Sequence, residues 1–139
     1  MRLAAITAVT MLVSTRIYGQ MLPQGATFPA IRVSIVPGVP EEMHLRGRFG
    51  VKVDRVQVDC YAANTVSDPL AAARTISSAA YGDFLSGAAT GLVGWSGSIG
   101  SPETRVDSIQ PAFGPVEAYA PDELKQTIVS QDYYVQYRG

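Results

Sequence analysis

The chain has 139 residues, 47% hydrophobic and 17% charged, which excludes disorder of the whole chain and sets a single compact domain over 1–139 as the expectation. Eleven Lys and Arg against twelve Asp and Glu leave a formal charge of -1, which speaks against a dedicated nucleic-acid binder that works by neutralising phosphates. One cysteine, Cys60, and one histidine, His44, rule out an internal disulfide and an all-protein Cys/His zinc site.

The first element is an apolar stripe. Leu3, Ile6, Val9 or Thr10, Val13 and Ile17 recur at spacings of three or four, which predicts an amphipathic helix whose buried face they form. The same stretch, with Arg2 ahead of an apolar run, also has the layout of a secretory signal over residues 1–19, although no A-x-A cleavage site follows it. Pro23, Gly25 and Pro29 then mark a loop leading into a strand. From Ala30, Ile31, Val33 and Ile35 alternate with Arg32, Ser34 and Val36 until Pro37-Gly38, the period of a strand.

Residues 39–50 are polar and punctuated by glycine, and they predict a long hairpin loop. A second strand spans Val51 to Ala62. Its apolar parity changes from Val51 and Val53 to Val56, Val58 and Cys60, which predicts a bulge near Asp54 and Arg55. Ser67 or Asp68 ahead of Pro69 is a helix start, and Leu70, Ala73, Ile76 or Ser77, Ala80 and Phe84 trace the buried face that follows. Gly82 and Gly87 weaken and end this helix. Residues 86–102 are rich in Gly and Ser around Leu92, Val93 and Trp95 and predict a short edge strand or a loop. A short strand over Arg105 to Ile109 and a longer one over Gln126 to Arg138 complete the set, the latter with Tyr133, Val135 and Tyr137 on one face. The expected class is α+β: a mainly antiparallel sheet with the N-terminal helix and the second helix packed on one face.

Chemistry is sparse. No nucleophile elbow, phosphate loop or dinucleotide fingerprint is present, no cofactor is indicated, and one His leaves no legible catalytic triad, so the chain is not expected to be an enzyme. Asp54 and Asp59 read as two solvated strand carboxylates, and Cys60 as a small buried core residue. Trp95 is an interface anchor or a core lid. The tyrosines near the C-terminus either form a stacking surface or reflect the preference of aromatic residues for strands.

Several segments in order carry a family resemblance. Ile17-Tyr18, then Leu22 to Ile31 ("LPQGATFPAI"), Val56 to Ala62 ("VQVDCYA") and Tyr133 to Arg138 ("YYVQYR") resemble the tail completion, or tail terminator, proteins of long-tailed bacteriophages and gene transfer agents. The pattern departs from the family over Gly87 to Gly100 and Pro111 to Pro121. The resemblance implies a structural virion protein, assembled in the host cytoplasm, that forms a homo-oligomeric ring, usually a hexamer. Such a ring ends the tail tube at its head-proximal end, meets the tail tube protein on one side and the head-tail connector protein on the other, and lets DNA pass without specific binding or any membrane. It also implies that the N-terminal stripe is a core helix.

A ring needs different patches on the two sides of each subunit. The loop residues Met43, His44, Leu45, Arg46, Arg48 and Phe49 mix apolar anchors with charge and are the candidate contact to a neighbouring subunit or to the tube. The alternative class is a small secreted or periplasmic binding protein with residues 1–19 as its signal peptide.

Overall fold

The computed structural model describes residues 2–22, 27–36, 51–62, 68–85, 88–100, 103–112, 114–119 and 127–138. A single 3-10 turn over Leu3–Ala5 leads into helix α1, Thr7–Val13. Leu3, Ile6, Val9 and Val13 are all buried, as their spacing predicts. The helix stops one turn earlier than the stripe suggests. Ser14 adopts the left-handed conformation at φ 54° and donates its N–H back to the Thr10 carbonyl, so the chain turns off the helix axis there. Ile17 reaches the core from an edge strand, β1 (Ile17–Gly19), and not from the helix. The β-branched Thr15 and Ile17 favour extended backbone, and the partner gained is β2 (Ala30–Ile35), which β1 joins in parallel.

Strand β3, Val51–Ala62, is antiparallel to β2, with Ile31 opposite Cys60 and Val33 opposite Val58. Its pairing with the last strand, β9 (Thr127–Arg138), runs unbroken from Val51 opposite Arg138 to Ala62 opposite Thr127. The bulge expected near Asp54 and Arg55 is therefore absent. The parity change has another cause: the core face carries Val56, Val58 and Cys60, while Val53 lies on the opposite face and Asp54 takes the core-face position, bonded to the Tyr137 hydroxyl. The register shift in the sheet lies instead between Val106 and Ser108 of β7 (Thr104–Pro111).

Helix α2, Pro69–Tyr81, begins where the sequence places it. The Asp68 carboxylate accepts the Ala71 N–H at 3.1 Å, and Pro69 occupies a first-turn position that has no N–H to satisfy. Ala73, Ile76, Ser77 and Ala80 form its buried face, small enough at both alanines for the helix to lie close on β3 and β9. Gly82, at φ +69°, ends the helix, so Phe84 belongs to the short strand β4 (Phe84–Leu85) that pairs with β5 (Ala88–Ala89). A Cβ at Gly82 would stand 2.3 Å from the Gly91 nitrogen, so the helix exit and the returning chain require glycine there.

The main sheet runs in the order β1-β2-β3-β9-β7-β6, with β6 at Gly97–Ile99 on the far edge. Strand β8, Val116–Tyr119, continues along the same side of β9 after β7 ends. Among the described residues only the β1–β2 pair is parallel, so the class is α+β with a mostly antiparallel sheet. The principal core joins both helices to one sheet face, where Ile31, Val58, Cys60 and Tyr133 meet Val9 and Ile76.

Candidate functional site

The helical layer covers only part of that sheet face. Ile35, Val56 and Tyr133 form one cross-strand row, and Asp54, Val135 and Ile109 form the next. These rows floor an open apolar groove of about 200 Å³, walled by Leu3, Leu92, Trp95 and Ile99. Ile35, at the end of β2, is 55% exposed and extends the apolar surface outward from Val33 and Val56. At the margin, the Tyr137 hydroxyl donates to the Asp54 carboxylate at 2.8 Å. The loss of solvent and the neighbouring carboxylate both raise the Tyr137 pKa, desolvation most.

Trp95, which the sequence leaves as anchor or lid, packs its half-buried ring against the core while lining the groove. Its backbone N–H donates to the Leu92 carbonyl, and its indole lies so close over Gly97 that a Cβ there would fall 2.6 Å from the ring. The Arg2 guanidinium stands 5.1 Å from the ring centroid, a cation–π distance, and donates to the carbonyls of Ala89 and Gly91. Burial lowers the Arg2 pKa from its ordinary value. The short N-terminal turn is thus tied to the wall of the groove.

The opposite sheet face is polar. Asp59, 1% exposed, accepts from Arg32 Nε and Nη2 on one oxygen and from Gln57 and Ser130 on the other. Hydrogen bonding to Asp59 raises the Arg32 pKa against the opposing effect of burial. Asp132 is likewise buried and receives Arg55 Nε at 2.8 Å. The expected pair of solvated carboxylates is therefore corrected: Asp59 is buried and fully engaged, and Asp54 lies on the other face. Occupied on both oxygens, Asp59 is arranged to hold strands β2, β3 and β9 together.

Cys60 is buried in the core, as its position on the alternating strand implies, and burial pushes its thiol up to about 12. The tyrosines do not share one surface. Tyr133 is buried against Tyr81, Tyr137 faces Asp54, and Tyr134 lies on the polar face. No helix among the described residues is long and apolar enough to cross a membrane.

The candidate contact residues Met43, His44, Leu45, Arg46, Arg48 and Phe49 lie outside the described residues. The structure does define where that segment departs and returns. The Val36 N–H donates to the Arg55 carbonyl just beyond Ile35, and β3 begins at Val51. The groove itself escaped sequence reading because its walls come from six separate parts of the chain.

No family model and no curated protein matches the chain. Among solved structures, it is similar to a chain in the virion of a native gene transfer agent particle. The TM-score is 0.54 at 16% identity, and the likeness covers 99% of this chain and 90% of that one. At that identity the likeness is one of fold, and it spans the whole chain.

Proposed function

We propose that this chain is a structural virion protein of a phage or gene transfer agent, a single-domain tail terminator subunit that closes into a ring of six copies. The ring ends the tail tube at its head-proximal end, joins it to the connector and lets DNA through without holding it. The observation that carries this reading is the end-to-end likeness of fold to a chain of a gene transfer agent virion, taken with the ordered family segments from Ile17 to Arg138. The role is geometric and calls for no reaction.

The burial of Leu3, Ile6, Val9 and Val13 supports this reading over an exported binding protein, since cleavage after residue 19 would remove those four core side chains together with β1. The near-neutral chain suits a ring through which DNA slides. Solution mass by light scattering and negative-stain imaging across a concentration series test the proposal. Closed rings that grow in population with concentration are the expected result. A protein that stays monomeric at every concentration, and that also fails to cap tail tubes, overturns it.

A further inference from the structure

The apolar groove carries one charge that the described residues leave without a counter-charge. Arg32, Arg55 and Arg138 each hold an aspartate, whereas Arg2, which lines the groove, meets only backbone carbonyls. Its Nη2 donates to Ala89 and Gly91 at 3.2 and 3.3 Å, and its Nε is buried with no acceptor. Carbonyl dipoles leave the charge in place, and burial opposes it with no carboxylate in compensation. The cation is nonetheless held at the Trp95 ring, at the groove wall.

The rest of the groove is hydrocarbon. Val33, Val56 and Val135 line it, and its volume of about 200 Å³ falls below the roughly 300–1,000 Å³ of small-molecule pockets and suits a few inserted side chains. Ile99 on its wall is 37% exposed, so the apolar surface continues to the mouth. Trp95 and Tyr133 line it together with Arg2, and Trp, Tyr and Arg are the residue types on which binding energy concentrates at interfaces. Among the described side chains, the other charged group at its margin is Asp54, which already accepts the Tyr137 hydroxyl. Asp54 lies on β3, two strands from Ile109, whose carbonyl takes the Gly94 N–H at the base of the Trp95 wall. An entering acid is therefore drawn to the Arg2 side and repelled on the Asp54 side, which sets the direction of the occupant.

We propose that the groove docks a short apolar segment of a partner protein that carries one carboxylate, from Asp, Glu or a chain terminus. The carboxylate pairs with the Arg2 guanidinium, and the neighbouring apolar side chains lie over Val33, Val56 and Val135. The site needs only the groove and stands apart from ring closure, so its failure and the failure of the ring reading are separate results.

The test is selection of displayed random heptapeptides on the immobilised full chain, with Arg2→Gln for counter-selection. Enriched sequences should place Asp or Glu beside two or more apolar residues. A selected peptide should shift the emission of Trp95, the single tryptophan, on titration. Changing its acid to the amide, or Arg2 to Gln, should weaken binding about tenfold. Because Arg2→Gln also gives up the carbonyl contacts of the N-terminal turn, Ile99→Glu is the second variant. It sets a carboxylate at an exposed position on the wall and should abolish binding of acidic peptides while the circular dichroism stays that of the parent protein. No enrichment, enriched sequences without an acid, or equal binding to folded Ile99→Glu overturns the proposal. Octanoate that binds more tightly than every selected peptide overturns it in favour of a lipid-like occupant. Self-association of the parent chain that both variants abolish in the absence of peptide overturns it by assigning the groove to a second copy.

Discussion

Replacing Asp59 with alanine removes the acceptor on which two neighbouring strands converge. The carboxylate takes Arg32 Nη2 at 2.6 Å, Arg32 Nε at 3.0 Å and Gln57 Nε2 at 2.7 Å, and it also takes the Ser130 hydroxyl. Removing one member of a buried ion pair costs about 3–5 kcal/mol. The Arg32 side chain is 34% exposed and can turn toward water, which screens part of that loss and sets the expectation near the lower end, about 3 kcal/mol. For a domain of this size that lowers Tm by roughly 10 °C. Asp59→Asn keeps the volume but turns an amide N–H toward one set of donors, and it should cost about 2 kcal/mol. The assay is urea and thermal denaturation followed by circular dichroism at one fixed protein concentration, because association would shift the apparent stability. The Asp107→Ala variant is the control. Its partners Arg105 and Arg138 are largely exposed, and its midpoint should move far less. An Asp59→Ala variant within about 1 kcal/mol of the parent protein would refute the claim that this network holds the sheet together.

Other perturbations test the remaining parts of the structure. Deleting residues 1–19 exposes core otherwise filled by Leu3, Ile6, Val9 and Val13, at about 1.5–3 kcal/mol for each side chain, a sum comparable to the whole stability of a small domain. The truncated chain should show no cooperative unfolding transition, and a folded 20–139 fragment would contradict the placement of the stripe in the core. Gly82→Ala combines a positive φ with a Cβ 2.3 Å from the Gly91 nitrogen, so a loss of about 1–3 kcal/mol is expected in the same denaturation assay. Cys60 supplies a pH dependence. Its thiol is raised from 9.0 to about 12 in the folded chain, so the native state holds the proton that the unfolded state releases. Stability is fully present below pH 9 and falls as the pH rises from there toward 12, with a limiting slope of about 1.4 kcal/mol per pH unit. Cys60→Ala should flatten the onset of that slope just above pH 9, where tyrosine, with an ordinary value of 10.0, is still largely protonated, in urea midpoints measured across the range.

Local signals carried much of this fold. The Asp68-Pro69 start of α2, its Ala73-Ile76-Ala80 face and the alternation in β2 and β9 are each decided by residues a few positions apart, and all stand in the structure. What escaped sequence reading depends on partners far along the chain. Helix α1 ends at Ser14 because β2 offers β1 a strand partner, and nothing within residues 1–19 announces that partner. The parity change in β3 has the look of a bulge until the register with β9 is known, since a carboxylate on the core face is tolerated there only with Tyr137 beside it. Arg32 and Asp59 sit directly opposite each other across β2 and β3, but the 37–50 segment between the strands leaves their register open in the sequence. Trp95 is undecided for the same reason: its place over Gly97, under Arg2 and beside the groove is set by three separate segments. The basic and apolar residues from Met43 to Phe49 stand out by composition, whereas the apolar groove emerges only when residues from β2, β3, β7 and β9 are brought together.

The proposed role is to stop a growing tube. The most direct measurement adds the purified full-length protein to tail tube protein during polymerisation and records tube length and end structure by electron microscopy. A terminator should give tubes that shorten as the ratio of added protein rises, each bearing a ring of density at one end only. Tubes of unchanged length with bare ends, at ratios that give one ring or more for every tube, would contradict it.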